Sequence, residues 1–192
     1  MLYDLVVKNR SYRGYDHSVK LTRQQLERYV EHARLCPSSV NRQPFKYFLA
    51  CDEETVAVIQ AQTGWARALP QMKLPHPGKE PAAFIVICQD DTLDANLNRY
   101  QRDVGAVAQT MLLAAVEEGL GGIMIGNFAA GEVAKVLHLP ENIHPLLIVA
   151  FGKPDEKIVL TGVGEDGDTN YYRDENDVHY VPKRALEEEL LN

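Results

Sequence analysis

The sequence has few cysteines, no excess of positive charge and no long apolar run. Its three cysteines form no C-x-x-C pair, which is typical of reduced thiols rather than of a disulfide framework. The formal net charge of −7 argues against nucleic acid as a partner, because phosphate backbones bind basic surfaces. The longest apolar runs, Ala82–Cys88 and Leu146–Phe151, are too short to cross a membrane, so no membrane partner is expected.

The composition is that of a globular protein. With 192 residues, 45% hydrophobic and 24% charged, the chain suits a single domain over residues 1–192 with its own core. The N-terminal residues are too charged for a signal peptide, so a cytoplasmic location is the default expectation.

Motifs for metal, nucleophilic or Rossmann-type chemistry are missing or out of context. None of the six histidines is paired at metal-ligand spacing with a third ligand nearby, so we expect no metal and a surface or turn position for each histidine. Gly162–Gly167 matches G-x-G-x-x-G, but the residues that follow show no helical pattern, and a turn is the better interpretation. In an enzyme-sized domain without such motifs, a cofactor could carry the chemistry.

Helical and strand patterns alternate along the chain, which predicts one α+β or α/β domain. Thr22 and Gln25 form a capping-box pattern at the start of a helix, and Asn98–Glu118 is the longest predicted helix. Its apolar stripe consists of Val104, Val107, Ala108, Met111, Leu112 and Ala115. Strands are predicted at Phe45–Cys51, Ala82–Gln89 and Pro145–Gly152.

Two stretches lack such patterns. Residues 64–81 contain four prolines and form an irregular, lid-like excursion. Residues 153–192 form a polar C-terminal extension with too few apolar positions for a core, so this tail should lie across its own surface or that of a partner.

Two polar segments depart from ordinary surface composition. Arg10, Ser11 and Arg13 place two guanidinium groups and a hydroxyl close together, which suits phosphate oxygens, although a solvated surface run is the better interpretation of this segment taken alone. The loop Pro37–Pro44 concentrates hydroxyl and amide groups that could contact a polar heterocycle, although a plain turn explains them equally well.

Taken together, these segments resemble the nitroreductase family. Arg10–Arg13, a capped helix and then Pro37–Phe45 (PSSVNRQPF) are similar in order and spacing to the family's R-R-S-x-R and A-P-S-x-x-N-x-Q-P-W. Gly119–Phe128 is similar to the family's glycine-rich segment, and Leu146–Pro154 to its closing strand. The likeness continues through Tyr171–Asp174 and Val181–Arg184.

The resemblance implies a three-layer α/β/α sandwich of α+β class, with a mostly antiparallel central sheet and a tail that reaches the partner subunit. It implies a homodimer that binds FMN at the subunit interface. The expected cofactor-binding residues are Arg10, Ser11, Arg13, Pro37, Ser38, Ser39, Asn41, Gln43, Met124, Ile125, Gly126, Asn127, Lys183 and Arg184. No catalytic side chain is expected, because the reacting centre would be flavin N5 beside the backbone of Gly126 and Asn127.

The resemblance further implies an oxidoreductase that takes hydride from NADH or NADPH and passes it to a small acceptor, such as a nitroaromatic or quinone, by a ping-pong scheme. Two alternatives stay open: a flavin carrier or sensor without turnover, and a flavin dehydrogenase or dehalogenase for one metabolite. The chain departs from the family pattern at Asn9, which replaces the first arginine, and at Phe45, which replaces the tryptophan.

Overall fold

The computed structural model describes residues 1–191. Six α-helices form: α1 (Leu2–Lys8), α2 (Arg23–Ala33), α3 (Glu53–Ala61), α4 (Gln101–Glu117), α5 (Ala130–Val136) and α6 (Leu186–Glu189), and Ser39–Asn41 form one turn of 3-10 helix. Seven strands accompany them: β1 (Phe45–Ala50), β2 (Ala83–Asp90), β3 (Gly121–Ile125), β4 (Ile143–Gly152), β5 (Ile158–Gly162), β6 (Tyr172–Arg173) and β7 (His179–Lys183). No helix in this part of the chain is long and apolar enough to cross a membrane.

The first four strands form one antiparallel sheet in the order β1-β2-β4-β3. Alternate residues of a strand face opposite sides, and both faces of this sheet are buried. Ile85 and Ile87 of β2 join the core beneath α2 and α4, whereas Phe84 and Val86 join a second core beneath α3 and α5. The expected three-layer α+β sandwich is therefore confirmed.

Short-range sequence patterns predicted the helices α2 and α4, which cover one face of the sheet. The Thr22 hydroxyl accepts a hydrogen bond from the Gln25 backbone N–H at 3.3 Å, and the Gln25 side chain accepts from the Thr22 N–H at 2.9 Å. This is the predicted capping box. All six residues of the predicted stripe on α4 are buried, although the helix begins three residues later than expected.

The sequence patterns missed β3 and shortened β4. Gly121–Ile125 is a sheet strand, and β4 begins at Ile143 rather than Pro145. A proline inside a central strand removes a ladder hydrogen bond, and the register between β2 and β4 shifts beside this proline, between Ile87 and Cys88.

The C-terminal extension folds onto its own protomer. Its strands β5, β7 and β6 form a second sheet, in which β5 and β7 are parallel. The sequence patterns predicted no strand in this polar extension, which contains three short strands and the helix α6. That any part of the extension reaches a partner subunit stays a prediction.

The segment before residue 15 packs over β3 at two glycines. Ser11 bridges to Gly122, and the Tyr12 N–H donates to the Gly122 carbonyl oxygen at 3.2 Å. A Cβ on Gly121 would lie 2.6 Å from the Tyr12 ring, and one on Gly122 would collide with the carbonyl oxygen of Ala150. Contacts within the chain thus account for both glycines.

Replacing Gly122 by alanine is expected to lower the free energy of unfolding by about 3 kcal/mol, because backbone on the neighbouring strand cannot move aside. The matched control is Gly126→Ala, since a Cβ there meets nothing within 4 Å. Urea unfolding of both variants checks this expectation. Equal stabilities would show that β3 and β4 can separate without cost.

Candidate active site

A cavity of about 340 Å³ lies where the N-terminal segment, α4, β3 and the second sheet meet. Its walls bring together residues from both ends of the chain. The lining residues are Asn9, Arg10, Ser11, Arg13, Gln109, Leu112, Gly122, Ile123, Met124, Ile158, Tyr171, His179, Val181 and Lys183. Five of the fourteen residues expected to bind a cofactor are among them: Arg10, Ser11, Arg13, Met124 and Lys183.

Strand β7 contributes to the cavity through alternate residues. His179, Val181 and Lys183 line it, as the two-residue period of a strand requires. Arg184 follows the strand, is exposed and does not line the cavity. Of the two C-terminal cations that the sequence offered, the structure brings Lys183 to the site.

The guanidinium of Arg13 is held almost entirely inside the protein. Its side chain is 8% exposed, its Nη1 donates to the Ser11 carbonyl oxygen at 3.0 Å, and its Cζ lies 4.7 Å from the centre of the Tyr171 ring. Burial lowers the pKa of Arg13 from its ordinary value. Its Nε is buried and has no hydrogen-bond partner among residues 1–191.

A buried carboxylate fixes the backbone behind this guanidinium. Glu156 accepts hydrogen bonds from the Arg13 N–H and from the guanidinium of Arg173. The Glu156 and Arg173 side chains are 4% and 2% exposed, and Arg173 also donates to Asp177 at 2.9 Å. Burial raises the pKa of Glu156, while the Arg13 N–H and the two guanidinium charges oppose the rise.

Arg10 is positioned in a similar way at the end of α1. Its Nη2 donates to the Val6 carbonyl oxygen at 2.6 Å, which holds the side chain against the helix. Its Nε is also buried without a partner in the described chain. Two arginines of a net acidic protein therefore face one cavity, each with a free donor.

His179 is the main residue that sequence reasoning missed. The expectation of a surface or turn position is wrong for it, because its ring is 1% exposed on β7. Both ring nitrogens are buried, and neither has a hydrogen-bond partner among the described residues. Burial, followed by the charges of Arg13 and Arg173, lowers its pKa from 6.5 to about 4, so the ring is neutral near pH 7. The mixed polarity of residues 179–183 carries no strand pattern that would have revealed this burial.

The Pro37–Pro44 loop lies at a different cavity, of about 170 Å³, which shares no residue with the first. Pro37, Ser38 and Gln43 line it, together with Cys36. Both cavities border α4, through Val107 in the second and Gln109 in the first. Within one protomer, the two groups of expected cofactor-binding residues are not brought together.

Hydrogen bonds inside the chain fix the shape of this loop. The buried Asp103 carboxylate of α4 accepts from the Ser39 backbone N–H at 2.6 Å and from its hydroxyl at 2.8 Å. The Gln43 side chain donates to the Asn41 carbonyl oxygen at 3.3 Å and to its side-chain oxygen at 3.1 Å. Ser39 therefore has a structural partner, and Asn41 and Gln43 are exposed.

The four residues expected beneath a flavin ring separate at the end of β3. Met124 lines the larger cavity, whereas Ile125 buries its side chain in the core beneath α3 and α5. Gly126 and Asn127 are exposed, and the Asn127 carbonyl oxygen accepts from the Gly64 N–H at 2.8 Å. Because the Ile125 side chain is buried in the core, only its backbone could make the expected contact with a flavin ring.

Residues 64–81 contain no helix or strand, as predicted. They are not detached from the fold, because Leu69 and Leu74 are buried with Ala66 in a small cluster, against which Tyr171 packs. His76 also hydrogen-bonds Asp177 across 3.2 Å. This excursion therefore packs against the segment that carries β6 and β7.

Comparison with known proteins decides the family. The model of the nitroreductase family matches residues 6–153, which is more than half of the chain. The chain belongs to the nitroreductase family. Membership makes it an oxidoreductase by class, as the sequence motifs predicted.

Relatives of this nitroreductase-family chain include a protein of Archaeoglobus fulgidus provisionally named NADH dehydrogenase/NAD(P)H nitroreductase. It is 28% identical over 159 residues, which cover 80% of this chain and 86% of the relative. The NADPH-flavin oxidoreductase of Vibrio harveyi is 36% identical over 89 residues, 39% of this chain and 37% of that protein.

Solved structures share the nitroreductase fold. A nitroreductase from Desulfovibrio desulfuricans, crystallised in complex with FMN, has a TM-score of 0.71 at 21% identity and covers 100% of this chain and 95% of its own. An NADH dehydrogenase/NAD(P)H nitroreductase from Parabacteroides distasonis has a TM-score of 0.65 at 24% identity, covering 81% of this chain and 88% of its own. At these identities the likeness concerns the fold.

The neutral ring of His179 makes the stability of the ligand-free nitroreductase-family protein depend on pH. Since the folded-state pKa of about 4 lies below the ordinary value of 6.5, the unfolded chain binds more protons between these values. We expect this residue to remove up to about 3 kcal/mol of stability as the pH falls from 6.5 to 4. Urea unfolding of the wild type and His179→Gln across this range measures the difference, and parallel curves would contradict the expectation.

Proposed function

We propose that the chain binds FMN as a homodimer and uses it to pass reducing equivalents from NADH or NADPH to a small acceptor such as a quinone or a nitroaromatic. The observation that carries the proposal is the convergence of Arg10, Ser11, Arg13 and Lys183 on one cavity. A phosphate monoester bears nearly two negative charges near pH 7 and needs several fixed donors. The names of the relatives point to the same chemistry.

The donors available in the 340 Å³ cavity fit the phosphate end of FMN. The buried Nε atoms of Arg10 and Arg13 have no partner within the described chain, and a buried donor without an acceptor is unfavourable. A phosphate oxygen would satisfy them with charge-assisted hydrogen bonds. The Glu156 carboxylate holds the Arg13 backbone in place, so little ordering is needed when the anion binds.

When bound, FMN accepts hydride from a nicotinamide and gives up two electrons to an acceptor. Arg10, Arg13 and Lys183 would hold the phosphate end, and Met124 of β3, which lines the same cavity, would contact the ring. Exposed Gly126 leaves the backbone at the end of β3 open to close approach. No side chain is required as a nucleophile.

The Pro37–Pro44 loop completes the site across a two-fold axis. In a symmetric dimer the same patch of each protomer forms the interface, so both cavities beside one α4 can face those of its partner. Two surfaces support this arrangement. Helix α1 buries none of its residues and leaves Leu2 and Tyr3 67% and 75% exposed, and α4 presents small residues at Gly105 and Ala106.

The proposal is tested by adding FMN to the purified protein and titrating the complex anaerobically with NADH or NADPH. Loss of the yellow absorbance with at least one donor, followed by its return on adding a quinone or nitroaromatic, is the expected result. Steady-state oxidation of the nicotinamide then separates an enzyme from a carrier, which would be reduced only once. Bound flavin that stays yellow with both donors would contradict the reductase function.

Replacing Lys183 by alanine tests the phosphate end separately. We expect FMN to bind roughly tenfold more weakly, a loss of about 1.5 kcal/mol, because one charged donor is removed. Riboflavin, which has the same ring without the phosphate, should bind with unchanged affinity. Arg184→Ala is the matched control, since this neighbouring cation does not line the cavity. Equal losses in both variants would remove Lys183 from the site.

Light scattering of the FMN complex should give a mass near twice the 21.5 kDa of the chain. Ala106→Arg should give a monomer that binds FMN weakly, because a long charged side chain would be placed on the small-residue face of α4. Lys135→Glu changes α5, in the opposite layer, and should leave the dimer intact. A monomeric wild-type complex at micromolar concentration would contradict this arrangement.

A further inference from the structure

The imidazole of His179 is a buried polar group with nothing to bind. Its side chain is 1% exposed, and both ring nitrogens lack a hydrogen-bond partner in the described part of the chain. Buried polar groups in folded proteins are nearly always paired, so each exception needs an explanation. Packing explains why the ring is buried but not why its nitrogens are unpaired. The centres of the Tyr171 and His179 rings lie 5.2 Å apart, and Tyr171 accepts no hydrogen bond from the imidazole.

The ring lines the cavity that holds the candidate phosphate donors. His179 and Lys183 lie on the same face of β7, and Arg10 and Arg13 line the same cavity. The cavity is therefore lined by three cations and by one neutral ring whose two nitrogens are unpaired in the described chain. An anion bound in this cavity would supply the acceptor that these donors lack.

The charged groups that act on His179 are Arg13 from the N-terminal segment, Arg173 of β6 and Asp177 from the following turn, and the Tyr171 ring packs against the imidazole. Arg10, Lys183 and the neutral Gln109 line the same cavity. Two carboxylates lie among these groups, and both are already paired. Asp177 accepts from Arg173 at 2.9 Å and contacts His76 at 3.2 Å, and Glu156 accepts from the Arg13 backbone and from Arg173.

We propose that His179 is a proton-coupled anchor for the ligand's phosphate: the ring takes up one proton from solvent as the phosphate enters, and the imidazolium donates an N–H to a phosphate oxygen. This step rests on the proposed FMN site. No bond is made or broken apart from the transfer of the proton to the ring nitrogen. The role extends the anion site beyond the arginines and lysine that the sequence motifs indicated.

The physical basis is the reversal of the local charge. In the ligand-free protein, burial and the neighbouring guanidinium groups hold the pKa of His179 at about 4. A phosphate dianion adds two opposite charges and an acceptor for the ring N–H, and both effects raise the pKa of the imidazole. Binding is then linked to proton uptake, so the affinity falls as the pH rises through the range between the two pKa values. A ring that serves only to pack against Tyr171 would show no such linkage.

The test is calorimetric titration of the ligand-free, full-length protein with FMN and with riboflavin, in two buffers of different ionisation enthalpy, between pH 6.5 and 8. At the lower pH, the wild type should take up close to one more proton per FMN bound than His179→Gln does. FMN should bind the variant at least tenfold more weakly at pH 6.5, with a smaller difference at pH 8. Riboflavin should bind both proteins alike.

The exposed His32 of α2 supplies the control, and His32→Gln should behave as the wild type. Ionisation of the FMN phosphate itself, with a pKa of about 6, is common to all variants and cancels in the difference. Equal proton uptake by the wild type and His179→Gln, with FMN bound to both, would overturn the proposal and leave the proposed function standing. Failure of either flavin to bind the wild type would instead contradict the proposed function, and the anchor with it.

Nuclear magnetic resonance of the wild type gives a second measurement that does not depend on how the variant folds. With ¹⁵N-labelled histidine, the His179 ring should show a neutral imidazole without ligand and an imidazolium after FMN is added at pH 7. The ring resonances of the exposed His32 should be the same in both states. A His179 ring that stays neutral in the FMN complex would overturn the proposal.

Discussion

The buried Glu156 carboxylate is the contact on which the arrangement of the site depends. It accepts from the backbone of Arg13 and from the side chain of Arg173. Because Glu156 lies just before β5 and Arg173 lies in β6, these contacts join the N-terminal segment to the second sheet. Removing one partner of a buried ion pair leaves the other charge unpaired in a poorly solvating environment, which is strongly unfavourable. The second sheet is therefore held against the N-terminal segment, and β7 presents its inner face to the cavity.

This carboxylate also determines what the cavity can bind. Glu156 and Asp177 both accept from Arg173, and neither accepts a hydrogen bond from the Nε atoms of Arg10 and Arg13. These two donors are thus left for a ligand, although the chain as a whole is acidic with a formal charge of −7. Donors that are fixed before binding lose little side-chain freedom on contact with the anion, which favours affinity at the expense of stability in the free protein.

The sequence predicted what local patterns control and missed what distant contacts control. The capping box at Thr22 and the stripe on α4 are set by residues three to four positions apart, and both are confirmed. The partners Glu156 and Arg13 are separated by 143 positions, and neither residue alone indicates the other. His179 was misplaced for the same reason, since its burial depends on a second sheet whose mixed polarity gave no strand signal. Arg10, Arg13 and Lys183 could be predicted because the order and spacing of the motifs resemble those of the nitroreductase family. That they line one cavity could be seen only in the structure.

The two ends of the proposed site have different origins in the chain. Arg10, Arg13 and the Pro37–Pro44 loop lie within residues 6–153, which match the family model, whereas Lys183 and His179 lie in the extension beyond that match. The part shared with the family can therefore supply the fold, the ring-facing end of β3 and two phosphate donors. In the proposed site the extension would add a cation and an imidazole on the same protomer, held there through Glu156. The proposed phosphate end would therefore draw its donors from both segments of the chain, whereas the proposed ring contacts would come from the first segment alone.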